Sequence, residues 1–176
     1  AEVPAPVLRR LDLLWAASLG LCWVDPLLSM AFQARFAVEA RRAGEGGRVA
    51  RAMATDAAYQ ISEGGEGNRR RCDRLMAAAR SLARDLGQPL IEGTVGACES
   101  ALAFFSGRFA EALRCDAHVE QLVATRCPSM TWERTNSRLF GLWSQLWLGD
   151  LAGVRQRLPR LLREARSEGD LLAAAC

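Results

Sequence analysis

The residues with the widest range of possible chemistry lie around the only histidine of the chain. Cys115 and His118 are three residues apart, which places both on one face of a helix, and Cys127 follows. Thiolate and imidazole groups bind Zn²⁺, and any Cys–His or Ser–His–Asp site would have to use the same imidazole. The only obvious further donors nearby are Asp116 and Glu120, and no second ligand pair exists. The pattern favours an ordinary helix-surface histidine, and we expect no metal, cofactor or catalytic residue here.

Nucleotide chemistry is limited by the absence of lysine, because all 23 basic residues are arginine. A P-loop and a protein kinase site each need a lysine that reaches the phosphates, so neither can be complete in this chain. The glycine-rich runs at 44–47 and 64–67 follow no predicted strand, and we interpret both as connections between helices. The carboxylates occur singly among arginines, which is typical of surface ion pairs rather than of a catalytic pair.

The charge and hydropathy patterns predict neither a nucleic-acid nor a membrane partner. The net charge is only +3, and the densest basic cluster, 69–71 with Arg74, is interpreted as a solvated helix start. The apolar run 13–24 is too short to span a bilayer and is bracketed by Asp12 and Asp25, so it predicts a buried helix rather than a signal peptide. Six scattered cysteines without a Cys-x-x-Cys pair predict free thiols in a reducing, cytoplasmic compartment.

Helical periodicity recurs along the whole chain, which is rich in Ala and Leu and poor in β-branched residues. Asp25-Pro26 is expected to open the second helix, Thr131 to cap the seventh and Asp170 to cap a ninth. We predict a linker at 1–6 and one helical-repeat domain at 7–176. We also expect that the sequence is a segment of a longer polypeptide. Glycine and proline divide it into about eight helices, at 7–22, 26–43, 48–63, 68–86, 90–106, 109–124, 131–148 and 151–169.

A repeat is indicated by three glycines, Gly65, Gly107 and Gly149, which recur at a constant spacing of 42 residues. The sequence FFSGRF around Gly107 aligns with LWLGDL around Gly149: an apolar helix end, a glycine, a polar residue and an apolar residue that opens the next helix. A period of this size is typical of a repeat array, in which each helix pair buries its apolar face against its neighbours. The predicted fold is therefore all-α, an α-solenoid of stacked antiparallel helix pairs similar to tetratricopeptide repeats.

The last two predicted helices show how such pairs would pack. The eighth carries one apolar stripe from Val154 to Ala165 with arginines outside it, and Pro159 should kink or restart it. The seventh is apolar over a wider arc and should be contacted on two sides. The polar residues left on the fifth and seventh helices are the predicted groove for a protein or peptide partner: Glu92, Glu99, Arg134, Arg138 and Gln145.

Three segments resemble a known family. They are DPLLSMAFQARFAVEARRAGEGGRVARAMATDAA (25–58), TRCPSMTWERTNSRLFGLWSQLWLGDL (125–151) and PRLLREARSEGDLLAA (159–174). They are similar to the C-terminal tetratricopeptide-like region of large bacterial serine/threonine protein kinases, where it follows a kinase domain and an AAA-type ATPase module. The resemblance implies a non-catalytic signalling tail that holds a partner or acts on the parent's own kinase or ATPase domains. The 42-residue period departs from the usual 34 of tetratricopeptide repeats, so that family's peptide-groove residues are not transferred.

Two other hypotheses stay open at this point. The chain could be an autonomous helical scaffold unrelated to a kinase, or a small helical metal-binding protein that uses His118. The upstream reading frame would distinguish an autonomous scaffold from a kinase tail. The metal content of the purified protein would test the metal-binding hypothesis.

Overall fold

The structure is a computed structural model that describes residues 3–175, and within that range it contains helices and no strand. The predicted all-α class is confirmed. One turn of 3-10 helix, Ile61–Glu63, extends α3. The helices are α1 Ala5–Leu21, α2 Pro26–Ala43, α3 Gly46–Gln60, α4 Glu66–Leu86, α5 Pro89–Phe105, α6 Phe109–Thr125, α7 Thr131–Trp147, α8 Leu151–Glu168 and α9 Leu171–Ala175.

The helix bounds confirm the 42-residue period. Shifting α5, Pro89–Phe105, by 42 residues gives the bounds of α7, Thr131–Trp147. The same shift carries each of the other helices from α1 to α6 onto the helix two places later, and the first and last residues then agree to within three positions. The corresponding helices are α1 and α3 with its 3-10 turn, α2 and α4, α3 and α5, α4 and α6, and α6 and α8. The chain is thus four helix pairs in one register, followed by the short α9. A solenoid built from all four pairs stays a prediction.

The chain divides into two compact units, Ala1–Val95 and Gly96–Cys176. In the first unit, α1 packs on α2, and α3 packs on both α2 and α4. One of its buried clusters joins side chains of the first three helices, with Phe36 and Leu11 fully enclosed. Its other buried members are Leu14, Ala37, Ala40 and Ala52. The small alanine side chains at these positions let the helix backbones approach each other closely. The high alanine content of the sequence thus contributes directly to helix packing.

Inward-facing arginines of the first unit are paired rather than free. Arg48 of α3 bonds both oxygens of Asp12 on α1, at 2.9 and 2.6 Å, and also bonds Glu45 at 2.9 Å. Burial alone would raise the pKa of Glu45, but its hydrogen bonds from Arg48 and Gly47 lower the pKa overall. Arg51 lies over the ring of Trp15, 4.4 Å from its centroid. These contacts tie α3 to α1 as well as to α2.

The second unit is built around α7, which packs on α6, α8 and α9. Val119, Leu122 and Val123 of α6 enclose Met130 where α7 begins. An aromatic cluster surrounds Phe104, whose ring centroid lies 5.4 to 5.7 Å from those of its neighbours. The neighbouring rings are Phe105, Phe109, Phe140 and Trp143. Offset and edge-on contacts of this kind stabilise beyond the area that they bury.

The repeated glycines lie in the turns inside helix pairs, with left-handed backbones at Gly107 (φ 73°) and Gly149 (φ 75°). After Gly107, the Arg108 N–H donates to Ala103 O at 2.8 Å, and after Gly149 the Asp150 N–H donates to Gln145 O at 2.9 Å. Both are the long C-terminal hydrogen bond of a Schellman motif, which needs a residue that tolerates positive φ. The sequence match between the segments around Gly107 and Gly149 therefore reflects a repeated turn.

Several predicted helix ends are wrong by a few residues for identifiable reasons. Gly46 and Gly47 lie inside α3 rather than in a linker, because Glu45 caps the helix by accepting from the Gly47 and Arg48 amides at 3.0 Å. Thr131 does not cap α7; it is the first helical residue after Met130, which gives no side-chain cap. Helix α1 begins at Ala5, inside the predicted linker, and residues 1 and 2 lie outside the described range.

The predicted caps of α2 and α9 are confirmed. Asp25 caps α2 through the Leu28 amide at 3.0 Å, and Asp170 caps α9 through the Ala173 amide at 3.0 Å. Of the two alternatives predicted at Pro159, the restart is wrong, because one helix, Leu151–Glu168, runs through that proline, and the kink stays a prediction. The five described cysteines are free thiols, with Cys72 and Cys98 buried, while Cys176 lies outside the described range. No described helix combines the length and the apolar character needed to cross a bilayer.

The positive φ at Gly149 predicts that Gly149→Ala lowers the free energy of unfolding by about 1 kcal/mol, because a Cβ is disfavoured in the left-handed region. Gly20→Ala, inside α1 with open space around it, should instead raise that free energy by about 0.5 kcal/mol. Urea unfolding followed by far-ultraviolet circular dichroism measures both. Equal effects of the two variants would contradict this account of the turn.

Candidate interaction surface

The structure places the predicted groove residues on two helices. Arg134, Arg138 and Gln145 lie on α7 in the second unit, Glu99 lies on the part of α5 in that unit, and Glu92 lies on the part in the first. All five are partly buried. The α7 residues bond within the unit. Arg134 pairs with Glu168 of α8, and the Gln145 amide donates to Asp150 at 3.1 Å.

Arg138 connects three helices. Its guanidinium bonds both carboxylate oxygens of Glu120 on α6, and it also pairs with Glu164 of α8 at 3.1 Å. Burial alone would lower the pKa of Arg138, but the hydrogen bonds to Glu120 and the charge of Glu164 raise it overall. The arginine is therefore charged at every physiological pH, and its first role is to hold α6, α7 and α8 together.

Asp116 is the most deeply buried acid of the second unit, with a residue exposure of 1%. Its Oδ2 accepts a hydrogen bond from Arg157 of α8, while its Oδ1 receives none from any side chain between residues 3 and 175. Burial raises the pKa of Asp116 to about 6, against the opposing attraction of Arg157. The carboxylate loses more hydration than its partner restores, which is the behaviour expected of a buried ion pair.

Gly141 provides the space for this contact. A Cβ at Gly141 of α7 would overlap the Asp116 carboxylate, so this helix position must lack a side chain. The sequence pattern indicated only a possible metal donor at Asp116. It predicted that the arginines of α8, including Arg157, lie outside the apolar stripe, which is wrong for Arg157 because this side chain pairs with the buried Asp116. Two signals were present in the sequence. Asp116 occupies the apolar stripe of Ala112, Val119 and Val123, and a glycine inside a helix usually has a packing reason.

The residues considered for metal or nucleophilic chemistry do not converge. His118 is exposed on α6, whereas Asp116, two residues earlier, points into the unit. Cys127 Sγ lies 3.4 Å from the hydroxyl of Ser129. Among residues 3–175, no group of three His, Cys, Asp or Glu side chains is close enough to share a metal ion.

An apolar groove lies between α7 and α8, with a volume of about 160 Å³. Leu142, Trp143 and Leu146 form its α7 wall, and Leu158 and Leu162 contribute to its α8 wall. Leu146 and Leu158 are 48% and 39% exposed, so the groove is open to solvent. The remaining lining residues are Thr135, Arg138, Leu139, Val154, Leu161 and Ala173.

The apolar surface continues beyond the groove at the α7–α8 turn. Trp147 is 70% exposed and stacks on Phe109 of α6, with ring planes 11° apart and centroids separated by 5.8 Å. Leu148 and Leu151 beside it are also exposed. The wide apolar arc predicted for α7 is contacted on two sides, by α6 and by α8. Leu139 and Phe140 on this arc are buried, whereas Leu146 and Trp147 near the end of the helix are exposed. Exposed apolar groups that adjoin in this way mark interaction sites more often than isolated ones do.

The chain matches no protein-family model, no curated protein and no solved structure.

The raised pKa of Asp116 predicts a specific pH dependence. A carboxyl with a higher pKa in the folded than in the unfolded chain stabilises the fold fully at low pH and loses that contribution as pH rises through about 6. Asp116→Asn removes this loss, so its stability relative to the native chain should rise by up to about 3 kcal/mol between pH 4 and pH 7. Urea unfolding of both proteins across that range measures the difference. Parallel pH curves would show that Asp116 titrates normally.

The close approach at Gly141 predicts that Gly141→Ala lowers the free energy of unfolding by about 2 kcal/mol, despite the better helix propensity of alanine. Ser144→Ala is the matched control on the same helix. The Ser144 hydroxyl is buried without a hydrogen bond to the described residues, so its removal should leave stability unchanged or raise it by about 0.5 kcal/mol. A native melting temperature for Gly141→Ala would refute the steric argument.

Proposed function

We propose that this chain is a non-catalytic helical-repeat region that binds a protein or peptide partner. The observation that carries the proposal is the open apolar groove between α7 and α8, which continues into the exposed Trp147. Such a surface gains stability when a partner covers it, by roughly 25 cal/mol for each Å² of apolar area removed from water. Helical repeat arrays use surfaces of this kind to bind helices and peptides.

The sequence resemblance makes the proposal more specific. We propose that the chain is the cytoplasmic tail of a multidomain bacterial serine/threonine protein kinase or signalling ATPase, whose own domains are candidate partners. The four helix pairs in a 42-residue register support a helical-repeat region, and the kinase part of the proposal rests on the sequence resemblance. An autonomous scaffold would use the same groove, and the sequence upstream of this segment distinguishes the two.

The regulatory proposal predicts that the parent protein changes its behaviour when residues 7–176 are deleted. Phosphoryl transfer or ATP hydrolysis by the full-length parent and by the deletion variant is measured with and without effector. The expected result is a change of at least several-fold in basal rate or in effector response, because the groove no longer contacts its partner domain. An unchanged rate with an unchanged response would reject the regulatory tail.

A point variant tests the groove without deleting the fold. Leu146→Ser with Leu158→Ser should reproduce most of the deletion effect, because both exposed leucines line the groove. Leu13→Ser with Leu27→Ser is the control, since these leucines of the first unit are also exposed. Substitutions at Arg134 or Arg138 would be less informative, because these arginines hold the second unit together. Equal effects of the two leucine pairs would remove the groove from the proposal.

A further inference from the structure

The outer edge of α8 combines apolar and cationic side chains in one strip. Arg155, Leu158, Leu162 and Arg166 stand at i, i+3, i+7 and i+11, so they follow one side of the helix. The two arginines are exposed to solvent, and the leucines between them line the groove. At 1.5 Å of rise per residue, the arginines are about 16 Å apart along the axis.

The charge of this strip is not neutralised within the unit. Helix α8 carries two acids, and both turn toward α7: Glu164 pairs with Arg138 and Glu168 pairs with Arg134. Arg157 is also turned inward, onto Asp116. Within residues 3–175, Arg155 and Arg166 make no ion pair or hydrogen bond through their side chains. The acids of α8 therefore serve the interior, and its outer edge keeps its positive charge.

From this arrangement we infer that the groove binds an amphipathic helix with an acidic flank, an inference that rests on the proposed interaction function. Two leucines between terminal arginines match a partner helix with apolar residues at i and i+4 and a carboxylate near each end. The apolar side of the partner would fill the groove, and its carboxylates would pair with Arg155 and Arg166. Recognition of an apolar helix face by a groove, with charge setting specificity, follows general rules of helix binding.

The test uses a fluorescent synthetic peptide of this chemistry, with carboxylates eleven residues apart and leucines between them. A second peptide replaces the carboxylates with lysine, and a third scrambles the leucines. Anisotropy titrations with the native chain should show binding of the acidic peptide only, weakening as salt rises. Arg155→Glu with Arg166→Glu should weaken the acidic peptide at least tenfold and create binding of the lysine peptide.

Arg163→Glu is the matched control, because Arg163 is an exposed arginine on another side of α8. It should bind the acidic peptide within about twofold of the native chain, since Arg163 lies outside the strip and a single exposed charge acts weakly through screening solvent. Circular dichroism melts verify that all variants fold. Equal loss in the Arg163 and the Arg155–Arg166 variants would overturn the inference, and so would native binding of the lysine or scrambled peptide.

Two further outcomes separate this inference from the function on which it rests. If the acidic peptide fails to bind while the Leu146–Leu158 variant still alters the parent's activity, the groove has a partner of different chemistry and the inference is wrong. If the chain binds vesicles of phosphatidylserine but no peptide, the strip recognises an anionic membrane, which also overturns it. Specific acidic-peptide binding with no effect of the leucine variant on the parent would support the inference and refute the regulatory tail.

Discussion

The contact between Asp116 and Arg157 sets the arrangement of the second unit. It joins α6 to α8 beside α7, at the one position of that helix, Gly141, where no side chain stands in the way. Burial raises the pKa of Asp116 even with the arginine bound, so the pair adds little net stability at neutral pH. We infer that its value lies in specificity, because another helix register would leave a buried carboxylate without its cation.

The same pairing determines what the unit shows to solvent. Glu120 of α6 pairs with an arginine of α7, and so do Glu164 and Glu168 of α8, so these three acids face the contacts between helices. Arg155 and Arg166, which have no ion-pair partner among residues 3–175, lie on the outer side of α8, next to leucines that are not completely buried. The pairing of the α8 acids with arginines of α7 therefore has two effects: it joins the helices, and it leaves the outer side of α8 positively charged.

Local chemistry explains which parts of this fold were predictable. The helix count, most helix ends and the 42-residue period follow from glycines, prolines and the Ala–Leu pattern, whose effects act over a few residues. Thr131 was wrongly predicted as the cap of α7, because Met130 occupies the position before the first helical residue. Met130 is held there by its burial against α6, which the local sequence does not reveal. The roles of Arg134, Arg138 and Arg157 depend on which helix lies opposite, and helical periodicity carries no such information.

The arginines predicted to form a partner groove and those exposed on α8 differ in what binding would require of them. Arg134 and Arg138 are mostly buried and already bonded to carboxylates, so a partner could use them only by breaking contacts between helices. Breaking these partly buried pairs costs more than the roughly 0 to 1 kcal/mol typical of exposed pairs, because both guanidinium groups are largely removed from water. Arg155 and Arg166 are hydrated and unpaired within the described range, and a partner's carboxylates displace only water and counterions. Recognition through the outer strip is consequently the route that leaves the fold intact.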